Sequence, residues 1–190
     1  MANAFLTTDR VYLRRFALKD VDDVFAYASV EGVGEMAGWP HHQSKEDSLY
    51  FVKKIAMRGP GSTYAIVSKF NKRVIGSFSI SPLKRGEAYF QDRQVGEIGY
   101  VLSQDYWGIG IMPEIVKAFC KKAFTSLNYD VLILRYFLWN RRSRRVAEKC
   151  GFTKRFENKD VYVKQLDKYL DEGVMVLTKE EHLLLEQSYL

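Results

Sequence analysis

The chain of 190 residues has the length of one domain, 1–190, since typical domains contain roughly 100 to 200 residues. Its 47% hydrophobic and 14% aromatic residues exclude a disordered chain, and no apolar run approaches the roughly 20 residues of a membrane span. The net charge of +6 is uneven, because residues 1–50 hold five basic and eight acidic side chains, or −3, which leaves +9 for residues 51–190. We expect a cytoplasmic protein whose later part binds a polyanionic ligand or a nucleic acid.

The first part of the chain predicts one strand and two helices. Alternating apolar and polar side chains predict the strand, Asp20 before an acidic turn predicts the cap of the first helix, and Ser44 with Asp47 forms a capping box for the second. The predicted ranges are 10–16 for the strand, 21–29 and 44–57 for the helices, and 31–43 for the loop between them.

The middle of the chain predicts a meander of three strands. A segment rich in glycine and proline, 58–62, ends the second helix, and a short turn joins the first two strands as a hairpin. In the third strand Glu97 lies on the face opposite to Ile98 and Tyr100. The strands are predicted at 63–69, 73–80 and 95–102, with a polar excursion at 84–93 before the last of them.

The final part predicts alternating helices and strands. Pro113 opens a helix, and Gly151 ends the next one. The segment between these helices, 131–139, is apolar at odd and even positions alike, which is typical of a central strand covered on both faces. Thr178 and Glu181 form the capping box of the last helix. The predicted helices are 113–125, 140–150 and 178–187, and the predicted strands are 131–139 and 172–178, which together make a mixed α/β domain.

Two glycines stand directly before the third predicted helix, in YWGIGIMPE at residues 106–114. A tight turn alone would explain them, but glycines there would also let an anion approach the unpaired, partly positive N–H groups of a helix start. A dinucleotide fingerprint needs a third glycine where Pro113 stands, and a phosphate loop of the NTPase type is absent from the sequence. The N–H groups of Gly108, Gly110, Ile111 and Met112 can converge on a pyrophosphate.

A second motif, NRRSRRVAEKCGF, follows the central strand at residues 140–152. Together with GEIGYVLSQDYWGIGIMPEIVKAF at residues 96–119, it resembles the GNAT acetyltransferase superfamily, in the branch of the RimJ and RimL ribosomal-protein N-terminal acetyltransferases. The resemblance covers roughly residues 6–178. The fixed letters of the branch pattern NxxSxxxxEKxGF are all present, as Asn140, Ser143, Glu148, Lys149, Gly151 and Phe152.

The resemblance implies an α/β GNAT (acyl-CoA N-acyltransferase) fold, with a mixed, mostly antiparallel central sheet flanked by helices. It implies direct transfer of an acetyl group from acetyl-CoA to a primary amine, most simply a protein or peptide N-terminal α-amine, with CoA as product. Association with the ribosome would follow from a ribosomal-protein acceptor. Two alternatives stay open, which are acetylation of a small-molecule amine and a non-catalytic CoA-binding module.

The resemblance also implies where the cofactor would lie. It assigns the pyrophosphate to the loop and helix start, the pantetheine to the end of the third meander strand, and further contacts to the second motif. The implied residues are Trp107, Gly108, Ile109, Gly110, Ile111 and Met112 for the loop, Tyr100, Val101 and Leu102 for the strand, and Asn140 and Ser143 for the second motif. The family pattern has Gly or Ala where this chain has Met112, but the site stays usable because the contact is through the backbone.

Acyl transfer needs a neutral amine, an N–H donor for the developing oxyanion, and a proton or dipole for the departing thiolate. We assign these roles to Glu97 as base through water, to the N–H of Val101 or Leu102, and to the hydroxyl of Ser143. Glu97 could instead be a solvated strand-end carboxylate, and Ser143 could simply cap its helix. An α-amine, with a pKa of about 8 against about 10.4 for lysine, demands less of a single carboxylate.

Several polar residues outside these motifs could suggest other functions. The arginines at 141, 142, 144 and 145 invite a nucleic-acid interpretation, but helical spacing spreads them around the helix, so direct nucleic-acid binding is not expected. His41 and His42 have no carboxylate or cysteine at metal spacing, so we expect a structural or substrate-rim role and no metal. The remaining candidates are Glu157 and Tyr162 near the substrate side and two reduced, structural cysteines, Cys120 and Cys150.

Overall fold

Eight strands form one sheet, with five helices packed around it, in the computed structural model, which describes residues 4–57, 63–83, 90 and 92–187. The strands are β1 Leu6–Thr7, β2 Val11–Arg14, β3 Thr63–Ser68, β4 Val74–Pro82, β5 Val95–Leu102, β6 Val131–Phe137, β7 Thr153–Val163 and β8 Lys168–Thr178. The helices are α1 Val21–Ala28, α2 Lys45–Met57, α3 Ile111–Ser126, α4 Arg141–Lys149 and α5 Lys179–Gln187. The predicted fold class, a mixed sheet flanked by helices, is confirmed.

The order of strands in the sheet is β1-β2-β3-β4-β5-β6-β8-β7, and β5 with β6 is its parallel pair. These two strands pair only from Val95 and Val131 to Ile98 and Leu134. Beyond that point β5 remains paired with β4 as far as Leu102, and β6 remains paired with β8 as far as Phe137. The two strands therefore diverge and leave a gap in the middle of the sheet.

The central position of β6 explains why its residues are apolar at both odd and even positions. Leu132 and Leu134 lie in the main core on one face, whereas Val131 and Ile133 lie in a second cluster on the other. Both faces of this strand are therefore covered along the part that pairs with β5, as the sequence predicts.

Helix α3 is held to the sheet by its apolar stripe. Ile115, Val116 and Phe119 are each 0% exposed in the main core. Burial of such a side chain contributes about 1.5–3 kcal/mol relative to exposure, so this helix and the loop before it have a fixed place on the sheet. The helix begins at Ile111, two residues before Pro113, and Gly110 is its N-cap.

The capping predictions are confirmed at two helices and need correction at a third. In the boxes that precede α2 and α5 the side chains and backbone N–H groups bond reciprocally. Asp20 stands at the cap of α1 but makes no side-chain cap bond there. Its carboxylate instead accepts two hydrogen bonds of 2.7 Å from Arg14, because a guanidinium offers a bidentate match.

Two strands were not predicted. The first, β1, has only two residues, and the second, β7, is an edge strand whose side chains are mostly exposed and rich in charge. Charged residues protect an edge strand from pairing with other chains, but they also remove the apolar alternation that identifies a strand. Its partner β8 begins at Lys168, four residues before the predicted start.

Some sequence predictions fall on residues outside the described ranges. These are the break at 58–62 and most of the polar excursion at 84–93. Of the described helices, none has the length and apolar character needed to cross a membrane. Cys120 and Cys150 are both buried and free, as expected of structural thiols, and burial raises the pKa of Cys150 to about 12.

Candidate functional site

The loop before α3 has the open backbone that an anion site requires. Gly108 and Gly110 have φ values of +79° and +84°, in the left-handed region that side chains disfavour. Apart from its two chain neighbours, no residue comes within 4 Å of where a methyl group on Gly108 would lie, so other parts of the chain do not cover the loop there. Ile111 and Met112 are 4% and 5% exposed because their side chains point into the core. What they can offer a ligand is their backbone, where the first N–H groups of a helix lack intrahelical partners.

Arg10, the residue directly before β2, holds this loop from the side. Its Nη1 donates to the carbonyl oxygen of Ile109 at 2.7 Å, and its Nε lies 2.6 Å from Oε2 of Glu114 in the first turn of α3. Although burial acts in the opposite sense, hydrogen bonds from Thr8 and Arg10 lower the pKa of Glu114. The guanidinium is also 3.6 Å from where a methyl group on Gly110 would lie, so it adds positive charge beside the loop.

Trp107 ties the loop to the end of β5 and to α4. Its indole Nε1 donates to the carbonyl oxygen of Leu102 at 2.8 Å, and the guanidinium of Arg142 lies over the ring, 4.8 Å from its centroid. A cation in this position is attracted to the ring face. The loop, the diverging strand and α4 are thereby held together at one end of the gap.

A cleft of about 1200 Å³ runs from this loop through the gap between β5 and β6. The predicted residues that line it are Glu97, Tyr100, Val101, Leu102, Trp107, Gly108, Gly110, Ile111, Met112, Asn140 and Ser143. Ile109 differs, since it is absent from the lining and its side chain is 57% exposed. The structure therefore brings the loop residues, the strand end and the second motif to one place.

The backbone of β5 alternates between β4 and the gap. The N–H of Ser103 donates to the carbonyl oxygen of Ile75, and the N–H of Leu83 donates to the carbonyl oxygen of Val95. The backbone N–H and C=O groups of the odd-numbered residues of β5 therefore face β4. In agreement, a methyl group on Gly76 of β4 would lie 2.2 Å from the carbonyl oxygen of Val101. The N–H and C=O groups of Tyr100 and Leu102 consequently face the gap, whereas those of Val101 do not.

Ser143 is held at the start of α4 by two neighbours. Its N–H donates to Oδ1 of Asn140, the N-cap, at 3.1 Å, and its Oγ lies 3.0 Å from the hydroxyl of Tyr100. Asn140 is 6% exposed, and its Nδ2 donates to the carbonyl oxygen of Met36 at 3.2 Å. The Asn140 amide thus caps the helix and ties it to the turn Glu35–Ala37, so the capping side chain at this helix start is Asn140 and not Ser143.

Glu97 lies where β5 and β6 cease to pair, and it contacts an arginine that the sequence analysis overlooked. Its Oε1 is 3.4 Å from Nε of Arg135, and the two side chains are 35% and 21% exposed. Arg135 lies on β6, two residues after Ile133, the register partner of Glu97. The carboxylate is therefore positioned by an ion pair at the narrow end of the gap.

Aromatic residues from α2 and the loop before it form another wall of the cleft. His42 lies between Trp39 and Phe51, with ring centroids 5.2 Å and 6.0 Å away, and its Nδ1 is 2.8 Å from Oγ of the fully buried Ser48. Burial lowers the pKa of His42, against the opposing charge of Asp47. This histidine faces the cleft, which agrees with a rim role.

His41 has a structural partner. Its Nδ1 lies 2.8 Å from Oε1 of Glu35, which also accepts the backbone N–H of His41 at 2.9 Å. Burial by itself would raise the pKa of Glu35, but the hydrogen bonds from His41 and Gly32 outweigh it and lower this pKa to about 2. Within the described ranges, no three His, Cys, Asp or Glu side chains gather closely enough to hold a metal ion.

The predictions for the remaining polar residues have mixed outcomes. Glu157 and Tyr162 do not line the cleft, since they lie on the edge strand β7 and bind Lys154 and Asp167. Glu172 of β8 lines it instead. The arginines of α4 are spread as expected, because Arg144 pairs with Glu148 at 2.7 Å on the surface while Arg142 and Arg145 line the cleft.

Comparisons with known proteins agree with this geometry. The profile of a family described as "Acetyltransferase (GNAT) domain" matches residues 10–153. An uncharacterized N-acetyltransferase, p20 of Bacillus licheniformis, is 25% identical over 180 residues, which are 93% of this chain and 97% of that protein.

Two solved structures share the fold. The microcin C7 self-immunity acetyltransferase MccE, in complex with acetyl-CoA and AMP, has a TM-score of 0.72 at 16% identity over 90% of this chain and 93% of its own. The ribosomal-protein-S5-alanine acetyltransferase of Vibrio fischeri has a TM-score of 0.68 at 20% identity over 92% of this chain and 96% of its own.

Proposed function

The chain belongs to the acetyltransferase (GNAT) domain family, and we propose that it transfers an acetyl group from acetyl-CoA to the α-amine of a protein or peptide N-terminus. The observation that carries this proposal is the divergence of β5 and β6 after Ile98 and Leu134, directly beside the open glycine loop. The gap provides a channel for an extended acyl carrier, and the loop provides a place for its phosphates.

In this proposal the loop and the start of α3 bind the pyrophosphate of acetyl-CoA. Support comes from the positive φ angles of Gly108 and Gly110, the N-terminal amides of α3, and the guanidinium of Arg10 beside them. Arg142, whose guanidinium lies over the Trp107 ring, and Arg145 line the cleft and add positive charge. These two arginines belong to residues 51–190, which carry the net +9, whereas Arg10 belongs to the acidic first part of the chain.

The gap would hold the pantetheine arm beside β5, as an added strand. The gap-facing N–H groups of Tyr100 and Leu102 and the C=O of Tyr100 support this placement, whereas the C=O of Leu102 already accepts from the Trp107 indole. Val101 lines the cleft, but its backbone N–H and C=O groups face β4 and are not available to pair with the arm. Ile109 contributes through its carbonyl, which fixes Arg10, and not through its side chain.

The acetyl thioester supplies an activated carbonyl carbon that the amine attacks directly, without a covalent enzyme intermediate. For the oxyanion donor, alternation along β5 excludes the N–H of Val101, which faces β4, and leaves the gap-facing N–H groups of Tyr100 and Leu102. Glu97 receives the amine proton through water, and Arg135 holds its carboxylate in place. From the start of α4, the hydroxyl of Ser143 donates a hydrogen bond to the departing sulfur, which leaves as the CoA thiolate and takes its proton from solvent.

The choice of an α-amine rests on acid–base chemistry. An α-amine has a pKa of about 8, so a substantial part of it is neutral near pH 7.5, whereas a lysine has a pKa of about 10.4. An α-amine therefore needs less help from a base than a lysine does, and the single carboxylate of Glu97, ion-paired with Arg135, suits it. The aromatic wall of Trp39, His42 and Phe51 gives the first side chains of a peptide an apolar surface to contact.

The test compares acceptors in an assay of CoA release. We expect activity with peptides that have a free α-amine and acetylated lysines, and little with the same peptides after the α-amine is blocked. N-terminal peptides of ribosomal proteins are the first choice, because the fold is shared with a ribosomal-protein-S5-alanine acetyltransferase.

Other results would identify the alternatives. Faster turnover of amino acids, polyamines or amine-containing antibiotics would replace the peptide with a small molecule. Saturable acetyl-CoA binding without acetylation of any amine would indicate a CoA-binding module.

A further inference from the structure

We infer that Tyr100 is a positioning residue for acyl transfer, whose hydroxyl orients the hydroxyl of Ser143 toward the sulfur of the departing CoA. This inference rests on the proposed function, which has Ser143 donating to that sulfur. It assigns a task to the Tyr100 side chain that differs from the backbone contact proposed above.

The two hydroxyl groups join β5 to the start of α4. Tyr100 Oη lies 3.0 Å from Ser143 Oγ and 3.4 Å from the Ser143 carbonyl oxygen. Tyr100 lies on the face of β5 that packs against the main core, and both residues line the cleft. A strand residue thus reaches the first turn of a helix that follows 43 residues later in the sequence.

The number of hydroxyl hydrogens indicates which of the two hydroxyl groups, Tyr100 or Ser143, is the donor in this hydrogen bond. A phenol has one hydrogen, and a serine hydroxyl has one hydrogen and two acceptor lone pairs. The contact to the Ser143 carbonyl is long for an O–H···O bond, so Oγ at 3.0 Å is the better acceptor for the phenol. With Tyr100 as donor, the hydrogen of Ser143 remains available for the sulfur.

Tyr100 remains a donor over the working pH range. Burial raises its pKa above the ordinary value, and the hydrogen bond to Ser143 opposes this only in part. The phenol is therefore protonated at any pH at which the amine acceptor is handled.

Ser143 has little other freedom. Its N–H is bound by Oδ1 of Asn140, which fixes the backbone at the first turn of α4. The rotation about the Cα–Cβ bond and the direction of the hydroxyl hydrogen remain, and both are limited by the bond to Tyr100. Removing the phenolic oxygen would leave a serine whose hydrogen points toward the sulfur for only part of the time.

A double-mutant cycle tests the inference with Tyr100→Phe, Ser143→Ala and the double variant. We expect Tyr100→Phe to lower kcat about tenfold, as loss of one hydrogen bond in the transition state would, with KM for acetyl-CoA within about twofold. In the Ser143→Ala background the same change should have no further effect on kcat, because Tyr100 acts only through that serine. The inference is overturned if Tyr100→Phe lowers kcat equally in both backgrounds or has no effect in either.

Tyr64→Phe is the control for removal of a phenolic hydroxyl from a residue of the same core cluster. Tyr64 lies in the same core cluster but does not line the cleft, so its variant should keep the wild-type kcat. A tenfold loss in this control would point to a general packing effect and contradict the assigned role. Thermal unfolding of each variant checks that the folded state is retained.

A second measurement does not depend on turnover. If Ser143 donates to sulfur, the thiolate form of bound CoA is stabilised, so its ultraviolet absorbance should appear at lower pH in the wild type than in Tyr100→Phe. Equal titration curves would contradict the inference even in an active enzyme. A wild type that acetylates no amine would overturn the proposed function itself, whereas an active wild type with an unaffected Tyr100→Phe variant overturns this inference alone.

Discussion

Arg10 and Glu114, 104 residues apart in the sequence, bind each other through two contacts, from the Arg10 backbone N–H at 3.1 Å and from its Nε at 2.6 Å. The same guanidinium holds the carbonyl of Ile109. Arg10, directly before β2, thereby supports the loop that we assign to the pyrophosphate, although no local feature of the sequence links the two segments.

Replacing Arg10 should weaken the binding of acetyl-CoA. We expect Arg10→Met to raise KM for acetyl-CoA about tenfold with a smaller change in kcat, since binding and not chemistry is affected. Arg10→Lys separates charge from geometry, because lysine keeps the charge but lacks the fork that reaches both Ile109 and Glu114. A KM unchanged in Arg10→Met would contradict the role of Arg10 at this loop.

A side chain at Gly108 should impair the loop through its backbone. Gly108→Ala meets no steric obstacle, but it forces alanine into a φ near +79°, which costs about 1–2 kcal/mol. We expect CoA affinity, measured by calorimetry, to fall together with the free energy of unfolding. Gly32→Ala is the control, because Gly32 has a φ of +88° and does not line the cleft, so it should lose stability and keep CoA affinity.

The pH dependence of stability should report on His42. Burial lowers its pKa, so in the pH range from about 7 to 5 the unfolded chain binds more protons at this residue than the folded one. Stability therefore falls as the pH decreases through this range, and it is fully present above the pKa of an unfolded histidine, about 6.5. His182, whose pKa burial also lowers, contributes in the same direction.

His42→Asn isolates the contribution of His42, because an amide can still bond to Ser48 but does not titrate. Denaturant unfolding at several pH values should show a smaller loss of stability for this variant between pH 7 and 5. Parallel curves for the wild type and the variant would show that His42 charges as easily in the fold as in the unfolded chain.

Replacing Glu97 should affect the rate in a pH-dependent manner. If Glu97 accepts the amine proton, Glu97→Gln should lower kcat about 10²-fold near pH 7, and the defect should shrink as the pH rises and the amine loses its proton unaided. A defect of constant size from pH 7 to 9 would instead indicate a positioning or structural role beside Arg135. The control is Glu157→Gln, which alters a carboxylate on β7 outside the cleft lining.

Local sequence was sufficient wherever a single element carries its own pattern. The period of the apolar residues identified α3, the apolar run identified β6, and the pairs Ser44 with Asp47 and Thr178 with Glu181 identified the caps of α2 and α5. These features depend on neighbours within a few residues, so the amino-acid order records them directly. The edge strand β7 was missed because its side chains contact solvent on most sides and show no apolar period.

The candidate site was only partly predictable for the same reason. The glycine loop is one continuous segment of the sequence, and so is the motif that begins at Asn140, and residues of both line the cleft. The contacts of Arg10, of Arg135 with Glu97, and of Tyr100 with Ser143 join residues 38 or more positions apart. Side-chain chemistry alone leaves many partners possible for each of them.

The mixed α/β class, the caps of α2 and α5 and the two motifs were readable from the amino-acid order, because each follows from spacing along one strand or one helix. The separation of β5 and β6 after Ile98 and Leu134, the N–H groups of β5 that face the gap, and the side chains that meet there became known from the folded chain alone. Strand register is set by the packing of whole faces against helices on both sides of the sheet, so it is a property of the assembled core and not of any one segment.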